Sequence, residues 1–162
     1  MPAVSTVARI GLEIGLGLFY CNLFEWFAHR YILHGLGKKK NSIWKFHWHE
    51  HHKNARRNNN VDPIYQGSVF KWNGAGKEAL ALLVVAIIHL PLAPFFPFFA
   101  LTGAYGIFNY YRVHKRAHLD PEWARKNVPW HMDHHLGHDQ DANWCVTKPW
   151  ADILFGTRKK CI

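Results

Sequence analysis

The chain has 162 residues, a length typical of one domain, and a formal net charge of +9 with histidine neutral. That charge suits nucleic acid or an anionic membrane surface, and the eight Trp, six Tyr and eleven Phe residues favour the membrane interface, so we expect no nucleic-acid partner. The cysteines, Cys21, Cys145 and Cys161, are odd in number and scattered, which argues against a disulfide-built secreted domain and against Cys-x-x-Cys zinc fingers.

A long apolar helix is the first predicted element. Residues 7–27 are apolar over a length that can cross a hydrocarbon core of about 30 Å. Polar residues are unfavourable in lipid, so those that interrupt this segment should face protein or water. They are Glu13, Asn22 and Glu25, with His29 and Arg30 in the continuation of the apolar segment to Gly35. Gly35 and Gly37 should end the helix, and the lysines at 38–40 place that end in the cytoplasm by the positive-inside rule.

The stretch that follows is too polar to span a membrane. Ile43 to Lys53 is aromatic and rich in histidine, and it predicts a helix that lies at the membrane interface. Residues 54–76 contain an Asn run, an Asp-Pro pair and several glycines. This composition predicts a loop.

The second apolar region runs from Glu78 to Tyr111 and is interrupted by prolines. Pro91, Pro94 and Pro97 predict two helices joined by a tight turn, because proline removes a helical hydrogen bond and clashes with the preceding turn. Both ends of such a hairpin lie on one side of the membrane. The flanking basic residues indicate that this side is again cytoplasmic. They are Lys71, Lys77, Arg112, Lys115 and Arg116.

Beyond this hairpin the chain should leave the membrane. Tyr111 to Leu119 extends the last apolar helix, Pro121 begins a short helix, and Pro129 precedes a helix at Trp130 to Gly137. Residues 138–162 predict a loop. The predicted fold class is therefore all-α: an integral membrane protein with one N-terminal spanning helix, a proline-broken helical hairpin and a cytoplasmic cap of histidine-rich helices.

Ten histidines fall into four groups along the chain. The groups are His29 and His34; His47, His51 and His52; His114 and His118; and His131, His134 and His135. Taken as an α-helix, His47 and His51 lie four apart on one face, and His52 follows at the next position. One such group is compatible with a solvated tract or a simple zinc site, but a zinc ion takes only four ligands. Ten imidazoles therefore fit two metal ions.

Three other histidines are predicted to lie outside the metal site. His49 lies roughly opposite His47 on a helix and should be exposed at the interface. His89 is alone in an apolar segment and should be a buried histidine with satisfied hydrogen bonds. His138 comes after the last helix and should belong to a loop or support the site from outside.

Carboxylates close to ligating histidines can orient the rings and balance the charge of the metal. Glu25 is one candidate, because it lies one helical turn before His29. Glu50 and Asp133 are two others, because they lie inside the histidine groups. We expect these three side chains to contact the ligands without binding metal themselves.

The order and spacing of the groups resemble the membrane-bound fatty acid hydroxylase and sterol desaturase superfamily, and the boxes are also similar to those of carotenoid hydroxylases. The boxes read His-Arg-Tyr-Ile-Leu-His at 29–34, His-Trp-His-Glu-His-His at 47–52, His-Lys-Arg-Ala-His at 114–118 and His-Met-Asp-His-His at 131–135. The closing run at 143–157 also looks like the family's ending. The chain departs from the family in its short length, in lacking a fused cytochrome b5 domain, and in having Cys145 where many members have glycine.

The resemblance implies a single membrane-embedded domain over residues 1–162 and a non-haem di-iron monooxygenase. Such an enzyme uses O₂ to hydroxylate or desaturate a fatty acyl chain, a sterol or a carotenoid. The implied cofactor is a pair of iron ions, which zinc can replace in a purified protein because imidazole suits both metals. The ten histidines of the four groups are the implied ligands, and the sequence names no catalytic residue beyond them.

Electrons must come from outside, because the chain has no Gly-rich dinucleotide motif and no set of cysteine ligands. The expected partners are membrane lipids, the lipid substrate and a cytochrome b5, ferredoxin or reductase. The expected location is a bacterial inner membrane or the endoplasmic reticulum, with the site on the cytoplasmic face. A non-catalytic membrane protein that binds or transports metal is the alternative, but a transporter should carry its ionisable residues near the midplane of its spans.

Overall fold

The computed structural model describes residues 5–160, and within that range the chain is helical with no strand. The predicted all-α class is therefore confirmed. The α-helices are α1 (Thr6–Phe27), α2 (Lys53–Arg57), α3 (Gly74–His89), α4 (Pro97–Leu119), α5 (Pro121–Asn127), α6 (Pro129–Leu136) and α7 (Trp150–Leu154). A π-helix at Ala28–Leu36 continues α1, and a second π-helix at His47–His52 directly precedes α2. Two short 3₁₀-helices lie at Pro63–Gln66 and Leu90–Leu92.

Local sequence explains where most of these helices begin. The side chain of Asn73 accepts a hydrogen bond from the Gly76 backbone N–H at 3.0 Å and caps α3. Asp120 caps α5 in the same way, through the Trp123 N–H at 3.0 Å. Helices α4, α5 and α6 each have proline near the first position. Proline is tolerated there because an N–H at that position has no partner within the helix.

Helix α1 packs closely along α4, and two glycines make this approach possible. A Cβ atom added at Gly17 would lie 2.8 Å from the Cβ of Thr102. A Cβ added at Gly106 would lie 2.5 Å from the Sγ of Cys21. Small residues let helix backbones approach where the surroundings give little hydrophobic drive for association. The contact fixes the direction in which α1 presents its polar residues.

The polar residues of α1 face protein, as predicted. Glu13 is buried, pairs with Arg9 Nε at 2.8 Å, and accepts a hydrogen bond from the Phe98 N–H at 3.0 Å, at the start of α4. Asn22 is buried at the other end of α1, where its Oδ1 accepts from the Ala151 N–H at 2.9 Å. These bonds satisfy the polar groups that lipid would leave unpaired.

Two helices are long and apolar enough to cross a membrane: Thr6–Leu36 with 31 residues and Gly74–Leu92 with 19 residues. Only 17% of the apolar window is buried in each, so most of their apolar side chains face outward. An exposed apolar surface of this kind is what a lipid environment requires. The first of these helices ends at Leu36, and Gly37 follows it. Position 37 must be glycine, since a Cβ there would lie 1.9 Å from the Leu33 carbonyl oxygen.

Two segments predicted as loops contain helices instead. Helix α2 occupies the first part of 54–76, because Arg56 Nη1 donates to the His135 and Gly137 carbonyl oxygens at 2.8 and 2.9 Å and holds α2 against α6. Helix α7 lies in the tail because Asn22 of α1 caps it. Such long-range partners are invisible to a local pattern.

Cys21 and Cys145 are free thiols, and Cys161 lies outside the described residues.

The buried apolar residues flank the histidine-rich end of the helices. One group joins α4, α5 and α6 and contains Val113, Ala117, Ala124, Val128, Met132 and Val146. The other joins the end of α1 to the tail and contains Trp26, Trp144, Cys145 and Ala151. Together they hold the segments that carry the histidines.

Candidate metal centre

All ten grouped histidines are buried, with relative exposures of 3% or less. Histidine is ordinarily only partly buried, and ten fully buried imidazoles in one protein need partners for their ring nitrogens. In the structure, the ten imidazole rings contact one another and form one continuous group. They are His29, His34, His47, His51, His52, His114, His118, His131, His134 and His135.

The two π-helices decide which histidines share a face. A π-helix is closed by hydrogen bonds five residues apart, as in the bond from the Gly37 N–H to the Ile32 carbonyl oxygen at 3.2 Å. Residues five apart, which diverge on an α-helix, therefore lie on one side here. His29 and His34 are brought together in this way, and so are His47 and His52. Single π-turns inside α-helices are frequent at functional sites.

Five histidines form what we call the first cluster, in which one ring nitrogen from each lies within 4.8 Å of all the others. His29 Nε2 is 2.9 Å from His47 Nε2, and His34 Nε2 is 3.0 Å from His52 Nε2. His134 Nε2 reaches His52 Nε2 at 3.2 Å. The members are His29, His34, His47, His52 and His134.

Four histidines form the second cluster by the same criterion: His51, His114, His118 and His135. His131 lies beside it, with its Nε2 3.0 Å from His118 Nε2 and its ring centroid 4.6 Å from that of His135. The α-helical interpretation of the second box was therefore wrong in one respect. His47 and His51 belong to different clusters, because the local helix has π geometry.

The ring nitrogens of the first cluster meet in a way that favours a bound cation. His34 and His52 direct their Nδ1 atoms at oxygens of Asp141 and Gln140, at 3.3 and 2.8 Å, so each Nδ1 carries the proton. Their Nε2 atoms are then both lone pairs, yet they face each other at 3.0 Å. A metal ion between them removes this repulsion, since neutral imidazole is a common metal ligand.

Unpartnered buried nitrogens give the same indication for the second cluster. Within residues 5–160, His51 Nε2, His114 Nε2 and both ring nitrogens of His135 have no hydrogen-bond partner, and neither does His131 Nδ1. Buried polar atoms without a partner are destabilising, and several at one point are typical of a ligand site. The donor set is imidazole throughout, which suits iron, zinc, copper or nickel. The residues thus fit a centre of two metal ions.

One short segment, Gln140–Trp144, orients most of the first cluster, and we call it the strap. Its oxygens accept hydrogen bonds from the Nδ1 atoms of four histidines. The pairs are His52 with Gln140 Oε1 at 2.8 Å, His34 with Asp141 Oδ1 at 3.3 Å, His134 with the Ala142 carbonyl at 2.7 Å and His29 with the Trp144 carbonyl at 2.6 Å. Such partners fix the ring and the tautomer of a ligating histidine.

The second cluster is oriented from the chain between α2 and α3 instead. His51 Nδ1 donates to Asp62 Oδ2 at 2.8 Å, and His118 Nδ1 donates to the Asn60 carbonyl at 2.7 Å. Glu78, at the start of α3, accepts from His114 Nδ1 at 2.6 Å and from the Tyr65 hydroxyl at 2.6 Å. Sequence reasoning missed Asp62 and Glu78. A charged residue at the start of an apolar helix was the one signal that pointed to Glu78.

Of the three carboxylates suggested by the sequence, Glu25 and Asp133 are buried and Glu50 is not. Glu25 is buried and accepts from the backbone N–H of Thr147 at 3.2 Å, so it holds the chain after the strap. Glu50 is exposed. Asp133 is buried and forms an ion pair with Arg158 at 2.9 Å. Glu25 and Asp133 thus support the backbone around the histidines.

Burial favours the neutral form of five of the ten grouped histidines. It lowers the pKa of His47, His52, His131, His134 and His135 well below the usual value, and the neighbouring histidines lower it further. Burial is the largest influence on the pKa of Asp62 and alone would raise it, but His51 and the hydrogen bonds from the Ile64 N–H and Asn54 together outweigh burial and the pKa is lowered. Neutral imidazoles beside an ionised carboxylate are the protonation states that metal binding requires.

The three remaining histidines lie outside both clusters. His49 is half-buried, and its Nε2 lies 3.1 Å from the Lys38 carbonyl oxygen. His89 is also half-buried, and its ring contacts the Tyr20 hydroxyl at 2.7 Å and the Val85 carbonyl at 2.7 Å. His138 is exposed after α6. None of the three is among the grouped ring nitrogens of the described residues.

Two surface depressions reach the first cluster. One, of about 280 Å³, has His52 in its wall beside Gln140 and Trp48, with Lys53, Arg56 and Arg57 around them. The other, of about 270 Å³, has His34 in its wall and is lined by Arg30, Tyr31, Gly35, Lys38, Asp141 and Trp144. One histidine of the first cluster therefore lies in the wall of each depression.

The sequence profile of the fatty acid hydroxylase family matches residues 14–157. The comparisons with curated proteins and with solved structures found no match. The matched range begins within α1 and ends beyond α7, so it contains all ten histidines and the strap.

Proposed function

The chain belongs to the fatty acid hydroxylase family, and on that premise we propose that it is an O₂-dependent di-iron enzyme that hydroxylates or desaturates a membrane lipid. The observation that carries this proposal is the pair of adjoining, fully buried histidine clusters. His52 of the first cluster and His135 of the second have ring centroids 4.3 Å apart. Two ions held so close together can act on one O₂ molecule.

The reaction must balance two external electrons against the oxygen chemistry. Hydroxylation converts a lipid C–H bond, O₂, two electrons and two protons into an alcohol and water. Two iron ions, when bound, supply the O₂ activation that cleavage of an unactivated C–H bond requires. Imidazole ligands suit this task because they lack the thiolate sulfur that oxidants attack.

The chain's own residues hold and shield that centre. The first cluster offers the Nε2 atoms of His29, His34, His52 and His134, because the strap holds their Nδ1 protons. On the second side, Asp62, Glu78 and the Asn60 carbonyl do the same for their histidines. Burial of every ring excludes bulk water, which protects a reactive centre from side reactions.

Charge supports a cytoplasmic position for the centre. Arg9 Nη2 donates to the Phe95 carbonyl at 2.8 Å, so the start of α1 lies beside the proline turn between α3 and α4. The lysines at 38–40, together with Lys71 and Arg116, lie toward the histidine-bearing ends of the same helices. By the positive-inside rule the histidine end is cytoplasmic, with α1 spanning and α3 and α4 forming a hairpin.

A lipid substrate would reach the centre from the bilayer side. Phe27 and Tyr31 are about half exposed, at 50% and 48%, on the turns that carry His29. They form an apolar surface within one or two turns of a cluster histidine. We propose that the substrate chain enters along this part of α1.

An external electron donor is part of the proposal. The Trp48 ring packs on His52 with centroids 5.2 Å apart, and Lys38 Nζ lies 4.6 Å from the Trp48 centroid. Lys53 and Arg57 lie in the same depression. An acidic cytochrome b5, ferredoxin or reductase fits this basic surface, where the first cluster is closest to solvent.

The arrangement of histidines disfavours a transporter. A transporter should place ionisable residues along its spans near the bilayer midplane. Here the ten histidines collect at one end of α1 and α4, and His89 of α3 is engaged by Tyr20 and by its own helix. No path of ligands crosses the described part of the spans.

Lipid analysis with isotopic oxygen tests the proposed function. The protein is expressed in a host that lacks lipid hydroxylases, under ¹⁸O₂, and lipid extracts are compared by mass spectrometry. We expect a new lipid product carrying one ¹⁸O atom, or a new double bond, and no product from a His52→Ala/His135→Ala control. Unchanged lipids from an iron-loaded protein supplied with electrons would contradict the proposal.

A further inference from the structure

We infer that the two clusters hold their ions unequally: the ion of the first cluster exchanges with solvent by way of the strap, and the ion of the second cluster is retained. This inference rests on the proposed two-ion centre. It concerns the residues that orient the ligands, Gln140–Trp144 on one side and the Asp62 and Glu78 carboxylates on the other.

The chemical character of the supporting partners differs between the clusters. A carboxylate that accepts a ligand's N–H raises the basicity of that imidazole, and such partners change metal affinity by about 10–100-fold. The second cluster has two buried carboxylates in this role, Asp62 with 0% exposure and Glu78 with 7%. The first cluster has two backbone carbonyls, one amide and one carboxylate, Asp141, whose side chain is 54% exposed.

Access to solvent differs in the same direction. Gln140 lines the depression that reaches His52, and Asp141 and Trp144 line the depression that reaches His34. The strap is thus the wall between water and the first cluster at both openings. Asp62, Tyr65 and Glu78 line neither depression, and each is buried.

The N-terminal half of the strap is held weakly at the surface. Exposed ion pairs hold its N-terminal half: Lys38 with Asp141 at 2.6 Å and Lys159 with the preceding Asp139 at 2.6 Å. Exposed ion pairs contribute little stability, about 0–1 kcal/mol each. Its C-terminal end is fixed more firmly, since the buried Asp152 accepts from the Trp144 N–H at 2.9 Å. We therefore place the opening at Gln140 and Asp141.

Release of zinc to a coloured chelator tests the inference. Purified protein loaded with two equivalents of Zn²⁺ is mixed with excess 4-(2-pyridylazo)resorcinol, and absorbance is followed with time. We expect two phases of one equivalent each. The Gln140→Ala/Asp141→Asn variant should accelerate the faster phase by about tenfold or more and leave the slower phase unchanged.

An Asp62→Asn variant should accelerate the slower phase alone, and Glu122→Gln, which removes one exposed charge on α5, should change neither. If Asp62→Asn fails to fold, the wild-type protein and the strap variant still decide the question. Release of both ions in one phase, or acceleration of the slower phase by the strap variant, overturns the inference. Two ions released together would leave the proposed enzyme intact, whereas two unequal ions without lipid oxidation would overturn the enzyme and keep this inference. A single bound ion overturns both.

Discussion

At the scale of single residues, His47 and His49 make the sharpest pair of variants. They lie two apart on one π-helix, but His47 is 2% exposed within the first cluster whereas His49 points to the Lys38 carbonyl. We expect His47→Ala to abolish activity and to lower the metal content, and His49→Ala to keep most of both. Metal analysis and product formation measured on the same preparations check this. Loss of metal in His49→Ala with retention in His47→Ala would show that the box had been misaligned.

His131 and His89 form a second such pair. His131 is fully buried beside the second cluster, although it is not among its four grouped nitrogens. We expect His131→Ala to abolish activity, because its ring packs on His135 and contacts His118. The His89→Ala variant loses a contact between α1 and α3 that involves no cluster histidine. This variant should keep its metal and much of its activity. Equal losses in both variants would contradict the assignment.

Asn143 tests the strap through its backbone. It has a positive φ of 59°. Its side chain forms two hydrogen bonds with the backbone of Lys159: Nδ2 donates to the carbonyl oxygen and Oδ1 accepts from the N–H, each at 2.8 Å. Asparagine tolerates this conformation better than most residues. We expect Asn143→Ala to destabilise the protein by about 1–3 kcal/mol, since strain is added and buried bonds are lost. Thermal unfolding in detergent measures this, and Asn143→Gly, which relieves only the strain, should lie between.

The acid sensitivity of the metal-free protein follows from the buried histidines. Their folded pKa lies below the unfolded value of about 6.5, so below that pH the unfolded chain binds protons that the folded chain does not. Stability is therefore complete above about pH 6.5 and falls as the pH decreases, by up to about 1.4 kcal/mol per pH unit for each such histidine. Unfolding midpoints between pH 8 and pH 5 check this. A midpoint independent of pH would show that these rings are not buried and neutral.

At the scale of elements, the contact between α1 and α4 depends on glycine. Gly17 faces Thr102 at a distance that excludes a Cβ, whereas Gly11 of the same helix has nothing within 4 Å of the position where its Cβ would be. We expect Gly17→Leu to destabilise the protein by about 1–3 kcal/mol through overpacking, and Gly11→Leu to be tolerated. Unfolding in detergent or bicelles distinguishes them. Equal effects would mean that α1 does not pack on α4 through this face.

The helices that sequence predicts well are those with local signals. Pro97, Pro121 and Pro129 mark the starts of α4, α5 and α6, because proline acts on its own backbone. Gly37 follows the first helix as predicted, but Gly35 does not end it, since the π-helix Ala28–Leu36 continues past that residue. The two π-helices have no such signal. An apolar period does not distinguish hydrogen bonds four apart from those five apart, so the pairing of His47 with His52 was missed.

Elements held by distant partners were missed for a different reason. Helix α7 is capped by Asn22, at a separation of 129 residues, and α2 is held by bonds from Arg56 to α6. The ligand histidines could be proposed because imidazoles recur at ligand spacing. The pairing of Asp62 with His51 and of Glu78 with His114 could not, because the partners are 11 and 36 residues apart and no pattern links them.

At the scale of the whole molecule, a group of basic side chains of this +9 chain lies at the proposed entry point for electrons. Lys53, Arg56 and Arg57 surround the depression that reaches His52, and Trp48 bridges that surface to the first cluster. Opposite charges on two proteins accelerate their encounter, and salt screens this attraction over about 8–10 Å. We therefore expect reduction by an acidic soluble donor, such as cytochrome b5 or a ferredoxin, to slow as salt rises from low to physiological concentration.

Charge reversal distinguishes a docking surface from general attraction to lipid. Lys53→Glu/Arg57→Glu should slow reduction of the iron-loaded protein by cytochrome b5 about tenfold at low salt without loss of metal, because both side chains are exposed and neither contacts a histidine nitrogen. The matched control, Arg125→Glu/Lys126→Glu, makes the same charge change in α5, outside the depression. Reduction by dithionite should be equal in all three proteins. If the control slows as much as the test variant, the basic surface around Trp48 is not the entry point. Turnover with NAD(P)H and no added protein would show that no donor protein is needed.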